Sequence, residues 1–420
     1  MAFTASEIKE IRQETSGTKQ VAHFNNAGAS LMPDPVRDAM IGYLQHESMY
    51  GSYETARTFA VQLEHTYDAV AELINANKEE IALVSSATVA WNLAFQSLFF
   101  QAGDIILTSN AEYASNYINF LHLQRRAGVV IRAIPNDKHG QIDVQALDKM
   151  ITANVKLIAI THIPTNGGLI NPAAAIGQVA KRHKITYLLD ACQSVGQIPI
   201  DVEAIGCDFL SATGRKYLRA PRGTGFLYVK KSWLEVNIEP PTLDLHAAEW
   251  TSKNKYTMRA DARRFESWER NLASQYGLGL AVDYALSIGI DRISHQLRNL
   301  AKLLRDKLSG IQGVTVHDIG KRKGGIVSFS VETCCDNLSI YNGADITAPL
   351  IGTFTTNPGT ITANITIVNA KGQRLYKKEQ LAGKGSLEMD ISTWAAGTYF
   401  VILKDKEGKV VDTQRMIVRR

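Results

Sequence analysis

The chain has 420 residues, 45% of them hydrophobic and 21% charged, and its formal net charge is +5. This composition is typical of a globular protein with two or three domains, and it excludes disorder as the main character of the chain. The positive charge is spread along the sequence without a basic stripe, so it does not indicate a nucleic-acid-binding protein. A small phosphate is an equally good anionic partner.

The first residues and the cysteines favour a cytoplasmic protein. The N-terminus, MAFTASEIKEIRQETSG, carries charges from Glu7 onward and has no apolar core of the kind found in signal peptides. No apolar stretch approaches the roughly 20 residues that a membrane-spanning helix needs. The four cysteines show neither metal-ligand spacing nor the pattern of a disulfide framework: Cys192, Cys207, Cys334 and Cys335.

Short β-rich runs alternate with helical patterns between residues 81 and 230. The predicted strands are IALVSS, DIILTS, VVIRAIP, LIAITHIP, ITYLLDA, DFLSATG and GTGFLYV. Several are apolar on both faces, as expected for strands that are covered by helices on both sides. Helical spacing is found between the earlier ones, in ATVAWNLAFQSLFFQ, ASNYINFLHLQRRAG and AAAIGQVAKRHK. The alternation predicts an α/β fold with a mixed, mostly parallel sheet, in which ligands bind beyond the carboxyl ends of the strands.

The rest of the chain changes character twice. Two long helical patterns and the strand-like GVTVHD and GGIVSFSV look like the start of a second, smaller α/β domain that does not continue. After Glu332 the sequence is Thr-rich with closely spaced turns, which predicts a small antiparallel β-sandwich over residues 336–420. We therefore expect an N-terminal helical segment (1–20), a large domain (21–265), linking helices with a truncated small domain (266–332), and the sandwich.

Three features lie where predicted strands end. Asp190 ends an apolar run, where a carboxylate is nearly buried and needs a partner, although it could simply cap the following turn. Lys216 follows the next strand, within SATGRKYLRAPRGTG. The run SSATVAWN opens a helix whose free N–H groups suit a phosphate, or is only a helix cap. An amine for an imine, an acid for a ring nitrogen and a phosphate cup are together the requirements of pyridoxal phosphate (PLP).

Residues 20–331 resemble the class V aminotransferase family, which has the fold-type I architecture of PLP-dependent transferases and includes cysteine desulfurases and isopenicillin N epimerase-like enzymes. Seven stretches carry the resemblance in the family's order: HFNNAGAS, SSATVAWNLA, TSNAEYASN, THIPTNGGLINP, LLDACQSVGQIPIDV, SATGRKYLRAPRGTGFLY and RRFESWERN. The match covers roughly three quarters of the chain. It implies that residues 21–265 form a PLP-binding domain.

The resemblance implies a role for each matching residue. Lys216 would form the imine with the cofactor and then move protons, and Asp190 would pair with the pyridinium. Gln193 would hydrogen-bond the phenolic oxygen of the cofactor. The phosphate would be bound by Ala87, Thr88, Thr213 and Arg215. Thr165 would also lie against the cofactor, and the substrate side would be formed by Asn166 and by the segment Asn26, Ala27, Gly28 and Ala29.

Some positions depart from the cysteine desulfurase pattern. Tyr113 falls where desulfurases have a histidine stacked on the ring, and a tyrosine keeps the stacking but loses the acid–base chemistry of imidazole. The family also builds each site from two subunits, so a homodimer is expected, with FESWERN reaching the partner's phosphate. Glu269 stands where desulfurases have a threonine, and we expect it to pair with Arg270 or Arg264.

The resemblance to the family ends after GGIVSFSVE. Two functional parts of the family's small domain therefore have no counterpart in this sequence. One is an arginine that binds the substrate carboxylate, and the other is the mobile nucleophilic cysteine of desulfurases. Cys334 and Cys335 lie at this junction without neighbours that would activate them, and we interpret their placement as chance. Cys192 is interpreted as a small buried filler.

The C-terminal segment resembles the sorting domains of secreted Bacteroidetes proteins of the type IX pathway. The matching parts are ITIVNAKGQRLYKKE, MDISTWAAGTYFVILKDKEGK and the basic end RMIVRR. Such a tail acts only after export, which conflicts with an N-terminus that does not look like a signal peptide. We interpret it as an inert β-sandwich on a fusion or hybrid chain; the alternatives are a tail added to a cytoplasmic enzyme, and a secreted protein, such as an adhesin, if a leader is missing.

These observations predict a PLP-dependent enzyme that acts on a small amino acid. The expected reaction is a C–S lyase or cysteine desulfurase-like elimination through an external aldimine. An amino acid epimerase or an aminotransferase of the same family stays open, as does an inactive PLP-binding fusion with a β-sandwich interaction module. No metal, nucleic-acid or membrane partner is expected.

Overall fold

The protein is described here by a computed structural model, which covers residues 3–331, 363–369, 373–381, 397–404 and 410–418. Its contacts divide the chain into two compact units, residues 1–331 with 340–343, and residues 332–339 with 344–420. Cys334 and Cys335 lie outside the described residues. Among the described helices, none is long and apolar enough to cross a membrane.

The helices of the first unit surround a central sheet. They are α1 (Ala5–Gln13), α2 (Asp34–Tyr50), α3 (Ser52–Thr58), α4 (Ala60–Ile74), α5 (Ala87–Gln96), α6 (Ala114–Ala127), α7 (Val144–Met150), α8 (Ala173–His183), α9 (Val202–Ile205), α10 (Lys231–Glu235), α11 (Leu272–Ile288) and α12 (Ile290–Ser309). Short 3-10 turns lie at Ser16–Lys19, Lys78–Glu80 and Ala262–Phe265.

The strands of the first unit form one large sheet and two hairpins. They are β1 (Ile81–Val84), β2 (Ile105–Thr108), β3 (Val130–Ala133), β4 (Val155–Thr161), β5 (Thr186–Asp190), β6 (Phe209–Thr213), β7 (Gly225–Val229), β8 (Ala248–Ser252), β9 (Lys255–Met258), β10 (Val314–Val316) and β11 (Phe329–Val331). The large sheet has the order β1-β7-β6-β5-β4-β2-β3. Only β7 runs antiparallel to its neighbours β1 and β6. The predicted α/β fold with a mixed, mostly parallel sheet is confirmed.

Apolar side chains cover both faces of this sheet. Along β4, Ile158 and Ile160 belong to a buried cluster on one face, while Leu157 and Ala159 belong to a second cluster on the other face. The first cluster includes residues of α4, α8 and α11, and the second includes the aromatic side chains of α5 and α6. A parallel strand that is buried on both faces reads as a continuous apolar run, which is why these strands could be predicted from the sequence.

The second unit contains the strands β12 (Ala363–Asn369), β13 (Arg374–Leu381), β14 (Gly397–Lys404) and β15 (Val410–Val418). They form one antiparallel sheet in the order β13-β12-β14-β15. A sandwich needs a second sheet packed on the first. The predicted β-sandwich therefore stays a prediction.

Candidate active site

Three parallel strands end side by side at the carboxyl edge of the large sheet. Thr161 is the register partner of Asp190, and Asp190 is the register partner of Ser211 on β6. Lys216 follows the end of β6 by three residues, in the turn that leads toward β7. The two residues that the sequence singled out for chemistry thus belong to neighbouring strand ends.

Asp190 is buried, with 3% of its surface exposed, and both of its carboxylate oxygens accept hydrogen bonds. The Cys192 N–H donates to Oδ1 at 2.9 Å, and Asn116 Nδ2 donates to Oδ2 at 2.8 Å. Burial raises the pKa of Asp190, while the Cys192 N–H, the Asn116 amide and the Lys216 ammonium each lower it. The carboxylate therefore caps the following turn, as the simpler interpretation held, and can still accept from a cationic partner.

Lys216 is buried, with 6% exposure. Its ammonium lies close enough to lower the pKa of Asp190 and also that of the Cys192 thiol. Among the described residues, Lys216 forms no ion pair with Asp190 or with any other carboxylate. The Lys216 amine and the Asp190 carboxylate are therefore near neighbours that do not form a direct salt bridge with each other.

Cys192 differs from its predicted role as a buried filler, because it is only partly buried. Burial and the nearby Asp190 raise the pKa of its thiol to about 11. The thiol is therefore protonated near neutral pH and is a weak nucleophile.

The start of α5 forms the proposed phosphate end of the site. Ser86 caps the helix, its Oγ accepting from the Val89 N–H at 3.2 Å, and helix position one is Ala87. Within the described residues the Ala87 and Thr88 N–H groups at the start of the helix have no carbonyl partner, so they are available to an anion. Ala87 is buried and Thr88 is exposed.

Gly225 lets the backbone of β7 approach this helix start closely. A Cβ atom at Gly225 would lie 2.8 Å from the Ser86 carbonyl carbon and 3.0 Å from the Ala87 nitrogen. Gly225 is also the register partner of Thr213, whose Oγ1 accepts from Arg215 Nη1 at 3.2 Å. The four residues predicted to bind phosphate thus come from the start of α5 and from the β6–β7 region that packs against it.

The N-terminal segment reaches the same edge of the sheet. Gln193 Nε2 donates to the Ala27 carbonyl at 3.0 Å, and the Ser30 N–H donates to the Arg215 carbonyl at 2.9 Å. Asn26 and Gly28 flank Ala27, with the Gly28 N–H bonded to Asn25 Oδ1 at 3.1 Å. The predicted substrate-side segment therefore lies beside the turn that follows β5.

Two predicted residues are not joined to this cluster by any hydrogen bond. Thr165 is partly buried and Asn166 is exposed, and neither side chain forms a hydrogen bond with a described residue. Their loop continues into Gly167, whose N–H donates to Ser328 Oγ at 3.2 Å. Tyr113 stands closer: it precedes α6, and its N–H donates to Thr161 Oγ1 at 3.3 Å.

The sequence did not single out two polar residues that the structure brings to Asp190. Glu112 precedes Tyr113, and Asn116 lies four residues later on the first turn of α6. The Asn116 amide donates to Glu112 Oε1 at 2.9 Å as well as to Asp190. The i, i+4 spacing of an acid and an amide at the end of a predicted strand was the available signal.

The expected pairing of Glu269 is wrong. Arg270 donates to Glu266 Oε2 at 2.6 Å, and Arg264 donates to the Ile238 carbonyl at 3.1 Å. Glu266 has a fully buried side chain, whereas Glu269 is exposed. A buried carboxylate at i, i+4 is the better partner for Arg270 because water does not compete for it.

Comparison with known families identifies the first unit. The family described as "Aminotransferase class-V" matches residues 22–340, which is more than half of the chain. The chain belongs to the class V aminotransferase family. A second family, "Secretion system C-terminal sorting domain", matches residues 348–419.

Relatives of this class V aminotransferase-family protein include two named "Probable cysteine desulfurase". The one from Pyrococcus abyssi (strain GE5 / Orsay) is 30% identical over 332 residues, which cover 77% of this chain and 82% of the relative. The one from Halalkalibacterium halodurans is 31% identical over 341 residues, with 79% and 83% covered. Family membership and these relatives make the chain a PLP-dependent enzyme.

Solved structures share the fold. The apo cysteine desulfurase from Thermococcus onnurineus NA1 superposes with a TM-score of 0.71 at 28% identity, covering 79% of this chain and 84% of that one. The cystine C-S lyase C-DES gives a TM-score of 0.70 at 21% identity, covering 76% and 86%. At that identity the second likeness shows the fold alone.

The residues of the site fit pyridoxal phosphate. Gln193 Oε1 and Arg215 Nε are buried polar atoms without a hydrogen-bond partner among the described residues. Buried polar groups are normally paired, so both atoms are available to a polar ligand.

Proposed function

We propose that this chain is a PLP-dependent lyase that acts on a small sulfur-containing amino acid, in the manner of a C–S lyase or cysteine desulfurase. The observation that carries the proposal is that Lys216 and Asp190 lie at the ends of neighbouring strands, where one cofactor could contact both. The names of the relatives and of the solved structures supply the reaction class. The substrate itself is inferred.

When bound, PLP supplies an aldehyde that condenses with amines and a ring that withdraws electrons from the substrate α-carbon. Lys216 would provide the amine that holds the aldehyde, and after substrate binds it would move the proton at the α-carbon. Asp190 would hold the proton on the ring nitrogen. The N-terminus of α5, with Thr213 and Arg215, would bind the phosphate.

The two described thiols are poorly suited to accept sulfur from the substrate. Within the described residues the cysteines are Cys192 and Cys207, and burial raises the pKa of both thiols. A protonated thiol is a poor sulfur acceptor, because the thiolate is the nucleophile. Tyr113 also lacks the imidazole acid–base chemistry of the histidine that the resemblance leads us to expect. We therefore propose that the sulfur is released from the site as sulfide or persulfide and is not passed to either of these cysteines.

A panel of amino acids tests the reaction class. The purified enzyme, saturated with PLP, is incubated with cysteine, cystine, cysteine sulfoxides, alanine and serine. Sulfide or persulfide, keto acid and ammonia are then measured, together with the chirality of the remaining amino acid. Keto acid and ammonia released together with sulfide or persulfide from cystine or cysteine supports elimination, whereas alanine formed from cysteine would show desulfuration and contradict it. Racemisation without release, or amino transfer to an added keto acid, would replace it by an epimerase or an aminotransferase, and an unchanged spectrum with every amino acid would indicate the inactive fusion.

A homodimer with a shared site is part of the proposal. A cleft of about 450 Å³ lies between α5, residues 223–225 and the FESWERN segment, of which Ser267, Glu269 and Arg270 line it. The resemblance implies that this segment reaches the phosphate of a partner chain, so the cleft is where we propose that a second chain contributes. Sedimentation velocity of the PLP-bound enzyme should give the mass of two chains, and a monomer with full activity would refute the shared site.

The location and the domain boundaries are also proposals. We propose a cytoplasmic enzyme with an inert tail over residues 336–420, against the sorting-domain match, which favours export. Fractionation of the producing cells should find the intact chain in the cytoplasm. A surface-located enzyme from which the tail has been removed would establish export. Limited proteolysis that cuts near residues 333–336 would support the proposed boundary.

A further inference from the structure

The side-chain amide of Asn116 connects two carboxylates at the carboxyl edge of the sheet. Nδ2 donates to Asp190 Oδ2 at 2.8 Å and to Glu112 Oε1 at 2.9 Å. An amide nitrogen has two hydrogens, so each of these bonds uses one of them. Asn116 is itself buried, with 2% exposure, and water does not compete for either hydrogen.

Glu112 is held from three elements. Its Oε2 accepts from the Thr161 N–H at 3.0 Å and from Thr108 Oγ1 at 3.2 Å, at the ends of β4 and β2. Its Oε1 accepts from the Tyr113 N–H at 3.0 Å and from Thr161 Oγ1. With Asn116, the carboxylate receives five donors from strand ends and from the start of α6. Its position is therefore fixed by the sheet and does not depend on the rotamer of an exposed side chain.

This arrangement determines which way the Asn116 amide faces. If the amide were rotated by half a turn, its carbonyl oxygen would face two carboxylate oxygens, which repel it. Glu112 therefore keeps the N–H₂ group directed at Asp190. The bond from Asn116 in turn fixes Oδ2 of Asp190, while the Cys192 N–H fixes Oδ1.

We propose that Glu112 and Asn116 are positioning residues that orient Asp190 toward the ring nitrogen of the cofactor, with Glu112 acting through Asn116. The proposal rests on the proposed role of Asp190. Neither residue needs to touch the substrate or the cofactor. The effect of each residue on PLP binding should equal that of one hydrogen bond to a charged group. This corresponds to roughly tenfold or more in the affinity of the apoenzyme for PLP.

The test is the apparent dissociation constant for PLP, measured by titrating the apoenzyme and following the visible absorbance of the lysine-bound cofactor. Glu112→Ala and Asn116→Ala should each weaken binding about tenfold. In the double variant, Glu112→Ala should add little, because its effect passes through Asn116. Glu112→Gln keeps an oxygen that can accept from Asn116, while its N–H₂ group would face the Thr161 N–H, so it should recover PLP affinity more than it recovers stability.

Glu80 provides a matched control. It is a buried glutamate that accepts from the Asn77 N–H and Nδ2, both at 3.0 Å, and from the Lys231 N–H at 2.8 Å. Its hydrogen bonds do not lead to Asp190. Glu80→Ala should lower stability and leave PLP affinity unchanged.

The outcomes separate this inference from the proposed function. If Asp190→Ala leaves PLP affinity unchanged, the proposed role of Asp190 is wrong. If Asp190→Ala weakens PLP binding while Asn116→Ala and Glu112→Ala do not, only the positioning role is overturned. Should Glu112→Ala fail to fold, Asn116→Leu keeps a similar side-chain volume and removes both N–H donors, and an unchanged affinity in that variant overturns the proposal.

Discussion

Gln193 Nε2 donates to the Ala27 carbonyl at 3.0 Å, which ties the N-terminal segment to the turn that follows β5. The other side-chain atom of this amide, Oε1, is buried and has no partner among the described residues. Gln193 thus uses one end of its amide to hold the chain and leaves the other end available. If Gln193 hydrogen-bonds the phenolic oxygen of the cofactor, as the resemblance implies, its N–H₂ group would have to face that oxygen.

Gln193→Ala should loosen the N-terminal segment in the apoenzyme. Phe24 lies in this segment and is 76% exposed, so we expect faster chymotryptic cleavage there, measured by mass spectrometry of timed digests. Gln275→Ala is the matched control, because Gln275 Nε2 also donates to a main-chain carbonyl and its Oε1 is also unpaired. Equal cleavage at Phe24 in both variants would contradict a specific role of the Gln193–Ala27 hydrogen bond in holding this segment.

Asp190→Ala should keep the covalent cofactor at saturating PLP and lose turnover. Without the carboxylate, the ring nitrogen does not stay protonated, and the α-carbon proton becomes harder to remove. We expect the turnover rate to fall by about 100-fold or more, measured as product release from the best substrate of the panel. Asp208→Ala is the control, since Asp208 also accepts from a main-chain N–H, that of Tyr187, but lies at the start of β6. Retained turnover in Asp190→Ala would exclude Asp190 as the partner of the ring.

Gly225→Ala should disturb the phosphate end of the site together with the adjoining strands β6 and β7. The new Cβ would meet the backbone of Ala212 on β6 and of Ser86 and Ala87, none of which can move aside as a flexible side chain can. PLP affinity should therefore fall at least tenfold in the apoenzyme titration, while Gly42→Ala, at a helix position with open space, should leave it unchanged. A Gly225→Ala enzyme that binds PLP with unchanged affinity would show that the close approach of β7 to α5 is not needed for phosphate binding.

The raised pKa of Glu112 should be visible in the stability of the apoenzyme. Burial and the nearby Asp190 raise the pKa of Glu112 to about 7 from its ordinary value of 4.5. The folded state therefore binds more protons than the unfolded state between these values, and the free energy of unfolding falls as the pH rises through them. Relative to Glu112→Gln, the natural protein should lose about 3 kcal/mol between pH 4.5 and pH 7 in urea denaturation. A constant difference between the two proteins over this range would contradict the raised pKa.

The sequence was informative where one local pattern determines the structure. The seven strands of the large sheet were predicted because each is an apolar run bounded by turns, and Asp190 and Lys216 were found because each follows such a run. Glu112 and Asn116 were not singled out, because their meeting with Asp190 depends on how α6 packs against the ends of β2, β4 and β5. No local pattern contains that packing.

The wrong pairing of Glu269 has a related cause. Glu269 and Glu266 lie on the same short segment, and the sequence does not say which of them is buried. In the structure Glu266 is buried and hydrogen-bonded to Tyr67 and His246, and Arg270 donates to this buried carboxylate. The antiparallel direction of β7 likewise depends on the connection from β6 and not on the composition of the strand.

The covalent attachment of PLP to Lys216 is the most direct measurement of the central claim. The PLP-bound enzyme is reduced with borohydride, digested and analysed by mass spectrometry, beside Lys216→Ala and the control Lys230→Ala. We predict a pyridoxyl group on Lys216 in the natural protein and in Lys230→Ala, and none in Lys216→Ala. A pyridoxyl group on another lysine, or an adduct that persists in Lys216→Ala, would contradict the account.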